Sequence, residues 1–166
     1  MNRVLAMLAA VLVLGATLRS QISDSKPEAE SRAQAAPQPA PVRFAAVDMF
    51  VDSGEQPLAA YQFELKVTAG EVALVGVEGG EHRAFQAPPY YDPRALAQQR
   101  IVVAALDAGS DLPHGKTRVA RLMVRVSGTQ TPAYEATLVV AASDEAKPSP
   151  ATISVSEAPG SEGAER

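Results

Sequence analysis

The chain has no cysteine and no tryptophan among its 166 residues. Without cysteine there is no disulfide, no thiolate nucleophile, no zinc ribbon and no lipid-modified cysteine. Aromatic residues amount to only 5%, so any core has to be assembled mainly from Val, Leu and Ala. Positive charge is not in excess. Fifteen Lys and Arg against 19 Asp and Glu leave a formal net charge of -4, which argues against nucleic acid, whose binding needs a basic face. Asparagine occurs once, as Asn2 before Arg3 and Val4, so no N-glycosylation sequon exists.

What is present divides into segments of different composition. Arg3 opens residues 1–20, and Val4 to Leu18 is an unbroken stretch without a charged side chain, ended by Arg19. Its length is that of a secretory signal core rather than of a membrane span, which needs about 18 residues or more. Cleavage after Ala16 or Ser20 and retention as an N-terminal membrane anchor both stay open. Either way the protein is expected to be exported, and to be periplasmic, extracellular or tethered through residues 4–18. Residues 21–41 are rich in Ser, Ala, Gln, Pro and Glu with Ile22 as the one large aliphatic side chain, and such a segment cannot bury enough apolar surface to order itself. Pro37, Pro39 and Pro41 stiffen its end into a spacer. The tail, residues 158–166, is expected to be disordered for the same compositional reason.

Between them, over residues 42–157, hydrophobicity alternates with the period of a strand. Tyr61, Phe63, Leu65 and Val67 share one face of the stretch Leu58 to Val67, with Gln62, Glu64 and Lys66 on the other. Val42 to Val51 places Phe44, Ala46 and Phe50 on one face, interrupted by Asp48. Glu71 to Val77 is a third strand. Arg100 to Leu106 is almost wholly apolar and is expected to be central and covered on both faces. In Thr117 to Val126, Ala120, Leu122, Val124 and Val126 point inward, Arg121 and Arg125 outward. Ala136 to Ala142 and Ala151 to Ser156 complete seven short strands separated by Gly, Pro, Asp and Ser, which predicts an all-β antiparallel sandwich. Helix is expected only at Asp92 to Gln99, with Asp92 as N-cap and Pro93 in the first turn.

The order of features from Val47 to Ala142 resembles the cohesin domain of bacterial extracellular scaffolding proteins. The pattern is carried by Val47-Asp48-Met49-Phe50-Val51-Asp52-Ser53-Gly54, by Leu58-Ala59-Ala60-Tyr61-Gln62-Phe63-Glu64-Leu65, and by Val72 to Gly80. The loop and strand from Leu112 to Val126 complete it. The resemblance implies a jelly-roll-like sandwich of nine strands, related to the carbohydrate-binding modules of cellulases, with a non-enzymatic binding role. It covers about ninety-five residues and rests mostly on strand patterning. The chain has no dockerin sequence and no second module.

Catalytic signatures are missing. His82 and His114 sit in separate Gly-flanked loops without a second His or Cys at ligand spacing. There is no Gly-x-Ser-x-Gly elbow and no phosphate-binding Gly loop followed by a helix. Asp48, Asp52, Asp107 and Asp111 are candidate calcium ligands by type, but as turn formers Asp side chains cap their own backbone without a metal. No catalytic residue, cofactor or metal is therefore expected. Two features remain. Ala87-Pro88-Pro89-Tyr90-Tyr91-Asp92-Pro93 sets two tyrosines in a Pro-bounded loop, suited to a sugar ring or a protein partner if exposed, or to capping the sandwich above Phe85 if one ring folds inward. Arg121 and Arg125, beside Arg118, Val119 and Met123, make a mixed basic and apolar stripe, which is either a solvated strand face or a protein-binding one. The expectation is an exported, non-enzymatic binding module that uses Tyr90, Tyr91, Arg121 and Arg125 on an extracytoplasmic protein, with polysaccharide binding through the tyrosine pair as the alternative.

Overall fold

A computed structural model of the chain describes residues 39–94 and 99–158. The expected export segment, nearly all of the spacer, residues 95–98 of the expected short helix and residues 159–166 lie outside the described residues. No helix among the described residues is long and apolar enough to cross a membrane.

Period-two alternation becomes eight antiparallel strands: β1 Val42–Asp52, β2 Ala60–Ala69, β3 Glu71–Gly79, β4 Tyr90–Tyr91, β5 Arg100–Leu106, β6 Lys116–Ser127, β7 Ala133–Ala142 and β8 Thr152–Ala158. They form two four-stranded sheets, one in the order β3-β6-β1-β8 and one in the order β4-β5-β2-β7. The helical residues among those described are a 3-10 turn at Arg83–Phe85 and Pro93–Arg94, where the Asp92 carboxylate accepts from the Arg94 N–H at 2.9 Å. The fold is an all-β two-sheet sandwich, with eight strands where the cohesin pattern implies nine and the alternation alone marks seven. The strand missing from the alternation is β4, whose two residues, between Pro89 and Asp92-Pro93, are too short to show a period.

The core lies between the sheets. From the first come Ala45, Val47, Met49 and Val51 of β1 with Leu122, Val124 and Val126 of β6; from the second come Tyr61, Phe63 and Leu65 of β2 with Ile101 and Val103 of β5. Phe44, Ala46 and Phe50 do share a face, but it is the outer one, because the alternation seats their neighbours inside. β5 is not covered on both faces. It is hydrogen-bonded on both sides, yet only Ile101 and Val103 are buried, and Leu106 is 77% exposed. β6 lies inside its sheet rather than at the edge, so the arginines on it do not guard an edge. β8 runs through Ala158, which pairs with Ala46, one residue past the expected domain boundary.

Two irregularities shape the molecule. Opposite Met49 and Phe50 the register of β6 skips Val119, so Val119 and Ala120 both turn inward. The carbonyl of Val119 accepts a hydrogen bond of 2.9 Å from the buried Tyr61 hydroxyl, which gives an interior polar group the partner it requires. Tyr61 in turn stacks on Phe63 at 5.9 Å and meets Phe85 edge-on at 5.1 Å between ring centroids.

The registers also fix the two ends. Val42, Ser127 and Glu71 lie abreast at one end of the first sheet, where the described chain enters. Ala158, where it leaves, sits toward the same end beside Ala46. The loops at residues 53–59, 80–89, 107–115 and 143–151 gather at the other end, with Leu58 and Leu112 buried beneath them.

Candidate functional site

The segment between β3 and β4 crosses from one sheet to the other and builds one wall of an open groove on the sandwich. It begins at Gly79 and Gly80, where the chain folds back on itself too tightly for any side chain. A Cβ at Gly79 would lie 2.1 Å from the Gln86 carbonyl oxygen, and one at Gly80 would lie 2.4 Å from that of Arg118. Glu81 then pins the segment to β6. Its backbone N–H donates to the Arg118 carbonyl at 2.9 Å, and its carboxylate accepts from the Arg118 N–H at 2.9 Å and from the Thr117 hydroxyl at 3.2 Å. His82 Nδ1 accepts from the Ala84 N–H at 3.3 Å and so caps the 3-10 turn. Phe85, buried against Tyr61, anchors the crossing in the core.

Held there, Pro88 and Pro89 deliver Tyr90 and Tyr91 to the edge of the second sheet. On a strand successive side chains point to opposite faces. Tyr91 pairs with Val103 and packs half-buried on the core, while Tyr90 pairs with Ala104 and is 77% exposed. The tyrosines therefore do not form one platform. One folds inward onto the core and the other stands out. Tyr90, Ala104, Gln62 and Val140 lie across one row of the outer face, and Leu106, Ala60 and Ala142 across the next. Between the Pro88–Tyr90 segment and these rows runs an open groove of about 480 Å³, with Phe85, Leu106 and Val140 among its walls. Among the residues that line it, Gln62 and the Tyr90 hydroxyl are the polar side-chain groups it offers, since the Tyr61 hydroxyl is spent on the Val119 carbonyl. Leu106 and Val140 are the site residues that alternation alone missed. For Leu106 the signal was available, since it falls on the same parity as Arg100 and Val102 in an otherwise apolar run.

Arg121 and Arg125 are on the outer face of the other sheet, so the four expected binding residues are split between opposite sides of the sandwich. Arg121 is engaged within the protein. Its Nε donates to Asp48 Oδ1 at 2.7 Å and its Nη2 to Asp48 Oδ2 at 2.9 Å, a two-pronged pair. Arg118 Nη1 stands 3.7 Å from the same carboxylate. The hydrogen bonds from Arg121 hold the Asp48 carboxyl below its ordinary range against the opposing effect of its burial. Glu78, paired across the strand with Arg121, and Ser156, paired with Asp48, extend this polar row over all four strands. Arg125 is exposed between Phe44 and Ala73, and no ion pair holds it among the described residues.

The aspartates weighed as calcium ligands have other partners. Asp52 Oδ1 accepts from the Gly54 N–H at 3.0 Å and Asp107 Oδ1 from the Gly109 N–H at 2.6 Å, which are turn-forming contacts. Asp111 is ion-paired with Arg83. Among the described residues no three His, Asp or Glu side chains converge. His82 Nε2 lies 3.8 Å from Asp111 Oδ1, while His114 Nδ1 is 2.9 Å from the Glu55 carbonyl oxygen in a different loop. The histidines do not share a carboxylate.

Compared with known proteins, the chain matches no family model, no curated protein and no solved structure. The cohesin likeness accordingly rests on the sequence pattern, and what the fold establishes is the two-sheet antiparallel sandwich itself.

Proposed function

We propose that the chain is a non-enzymatic, exported binding module, a trimmed jelly-roll-like sandwich of the cohesin type, that takes a protein partner in the groove beside Tyr90. The observation that carries this reading is the exposure of Tyr90 and Leu106, 77% each, both lining that groove. A large aromatic and a large aliphatic side chain held in water by a pinned backbone have no role in the core, and aromatic rings are favoured where protein interfaces are buried. The position supports it too. The groove lies toward the end of the sandwich away from Val42 and Ala158, where the described chain enters and leaves. Export rests on the apolar stretch from Val4 to Leu18.

Polysaccharide binding keeps one supporting observation, the single exposed ring of Tyr90, on which a sugar can stack. Sugar rings also demand converging hydrogen-bond donors and acceptors, and the groove offers few besides Gln62. A photo-crosslinking amino acid at position 90, with a control at position 125, tests the protein reading in the producing organism. The expected result is a discrete protein adduct from position 90 that disappears with Leu106→Glu. Adducts from position 125 alone would move the binding face to the other sheet. Retention on insoluble polysaccharide, lost with Tyr90→Ala, would replace the protein by a glycan.

A further inference from the structure

Leu106 stands between two hollows. On one side is the Tyr90 groove, and on the other a second depression of about 220 Å³ at the loop end of the same sheet. Leu106 and Ala60 line both, so the two are halves of one surface. Backbone pairing carries the sheet one residue past Leu106. The Asp107 N–H donates to the Ala59 carbonyl at 2.8 Å, and the Ala59 N–H to the Ala142 carbonyl at 2.8 Å. Ala59, Ala60, Ala142 and Ala146 give the second hollow small apolar walls, and Asp107 and Asp144 add two carboxylates to it. Each carboxylate is held in a turn. Asp107 Oδ1 accepts from the Gly109 N–H at 2.6 Å and Asp144 Oδ1 from the Glu145 N–H at 3.0 Å. Among the described residues neither is ion-paired, and Lys147 pairs instead with Glu145. Asp48 on the other sheet meets two arginines; the half-buried Asp107 and the exposed Asp144 meet none.

We propose that the partner segment seated beside Tyr90 carries a Lys or Arg close to its large apolar residue, the apolar side chain covering Leu106 and the cation entering the hollow lined by Asp107 and Asp144. The inference rests on the groove being a protein-binding site and specifies what binds there. Leu106 lines both hollows, so a segment that covers it brings atoms over the second one as well. A wholly apolar segment would strip water from Asp107 and supply no counter-charge, which is unfavourable. A Lys or Arg supplies the charge, and its aliphatic stem lies along the alanines while the head reaches the carboxylates. The long-range field agrees in sign. The chain carries a net charge of -4, which draws a basic segment in and turns an acidic one away. Leu106 precedes Asp107 directly, and the Tyr90 row lies two residues further back along β5. In an extended partner segment the apolar and basic residues are then about two or three positions apart, ~7–10 Å at ~3.3 Å per residue.

Short random peptides displayed on phage, selected on the full-length protein and depleted on Leu106→Ser, test this directly. The peptides that need Leu106 are expected to carry Lys or Arg two or three positions from a large apolar residue. Synthesised singly, they are expected to bind about tenfold more weakly to the double variant Asp107→Asn, Asp144→Asn, the combined effect of two exposed ion pairs. Added salt is expected to weaken their binding to the parent and leave binding to the double variant unchanged. Asparagine retains a side-chain oxygen for each turn, so the loops keep their hydrogen bonds. Leu106-dependent peptides that lack a basic residue, or that bind the double variant as tightly as the parent, would overturn the inference and leave the groove as a protein site. A selection that returns no Leu106-dependent peptide would overturn the groove reading, and this inference with it.

Discussion

The two outer faces of this sandwich are built from the same alternation and finish differently. On the β3-β6-β1-β8 face, Glu78, Arg121, Asp48 and Ser156 run abreast, and the guanidinium of Arg121 closes on Asp48 with two hydrogen bonds. On the β4-β5-β2-β7 face, the rows nearest the loops carry Tyr90, Ala104, Val140, Leu106 and Ala60 with little to satisfy a polar neighbour. The first face pairs its central Asp48 and Arg121 internally, while Arg125 and Phe44 stay exposed on it. The second leaves apolar area in water, which a protein keeps where something else is to cover it. Charged residues draw the eye in a sequence, but here the charged stripe is largely structural and the apolar rows are what remains available.

That contrast breaks most severely at its foundation. Phe85→Ala removes the ring that fixes the β3-to-β4 crossing in the core and faces Tyr61, at an expected cost of about 3–5 kcal/mol. The loss is measurable as a lowered denaturation midpoint in urea. Because Phe85 also walls the groove, Tyr90 should lose its fixed position before the sheets unfold, seen as faster amide exchange over residues 86–91. If exchange there is unchanged, the segment is held by Glu81 and β4 alone.

The next effect sharpens the charged side of the comparison. Arg121→Leu leaves the Asp48 carboxylate, which is 8% exposed, with Arg118 as its remaining cation, at an expected cost of about 3 kcal/mol at neutral pH. Arg125→Ala should change stability by less than about 0.5 kcal/mol. The pair also has a pH signature. Asp48 is held below its ordinary value of 3.8, so the folded state binds its proton less readily than the unfolded one. The stabilisation is complete above that value and fades as pH falls through the lower, folded one. In Arg121→Leu the acid limb should flatten, since protonating Asp48 then relieves a buried charge. Urea midpoints of both proteins from pH 7 to pH 3 decide it, and parallel curves would mean the pair contributes nothing.

How far these features could be read from residues alone depended on whether they were local. Strand alternation is local, and Tyr61 to Val67 or Ala120 to Val126 are oriented in the structure as period two requires. The pairing of Asp48 with Arg121 joins residues 73 apart in sequence, and alternation shows only that Asp48 interrupts an otherwise apolar face. That face proved to be the outer one, which makes the aspartate an ordinary member of it. Glu81 and Phe85 act through a crossing whose path no periodicity encodes. The split between Tyr90 and Tyr91 follows from strand geometry once β4 exists, yet two residues between prolines give no period from which to infer it. Val140 is a further case, because a bulge in β7 opposite Gln62 and Phe63 turns it outward alongside Val139.

The smallest expected effect on stability carries the most weight for the open face. If Tyr90 and Leu106 serve the fold, replacing them should destabilise it as core truncations do, by about 2–5 kcal/mol each. Both are 77% exposed, and Tyr90 makes none of the side-chain hydrogen bonds that its buried counterpart Tyr61 makes. Tyr90→Ala and Leu106→Ser should therefore leave the urea midpoint within about 0.5 kcal/mol of the parent. Leu106→Ser should even raise solubility, because it removes exposed apolar surface from a chain whose net charge is only -4. A residue that costs nothing to remove from the folded monomer, and whose loss nevertheless abolishes the adduct from the groove, is one kept for a partner. A midpoint that drops by several kcal/mol in either variant would instead make the groove a piece of the core, and the difference between the two faces would vanish.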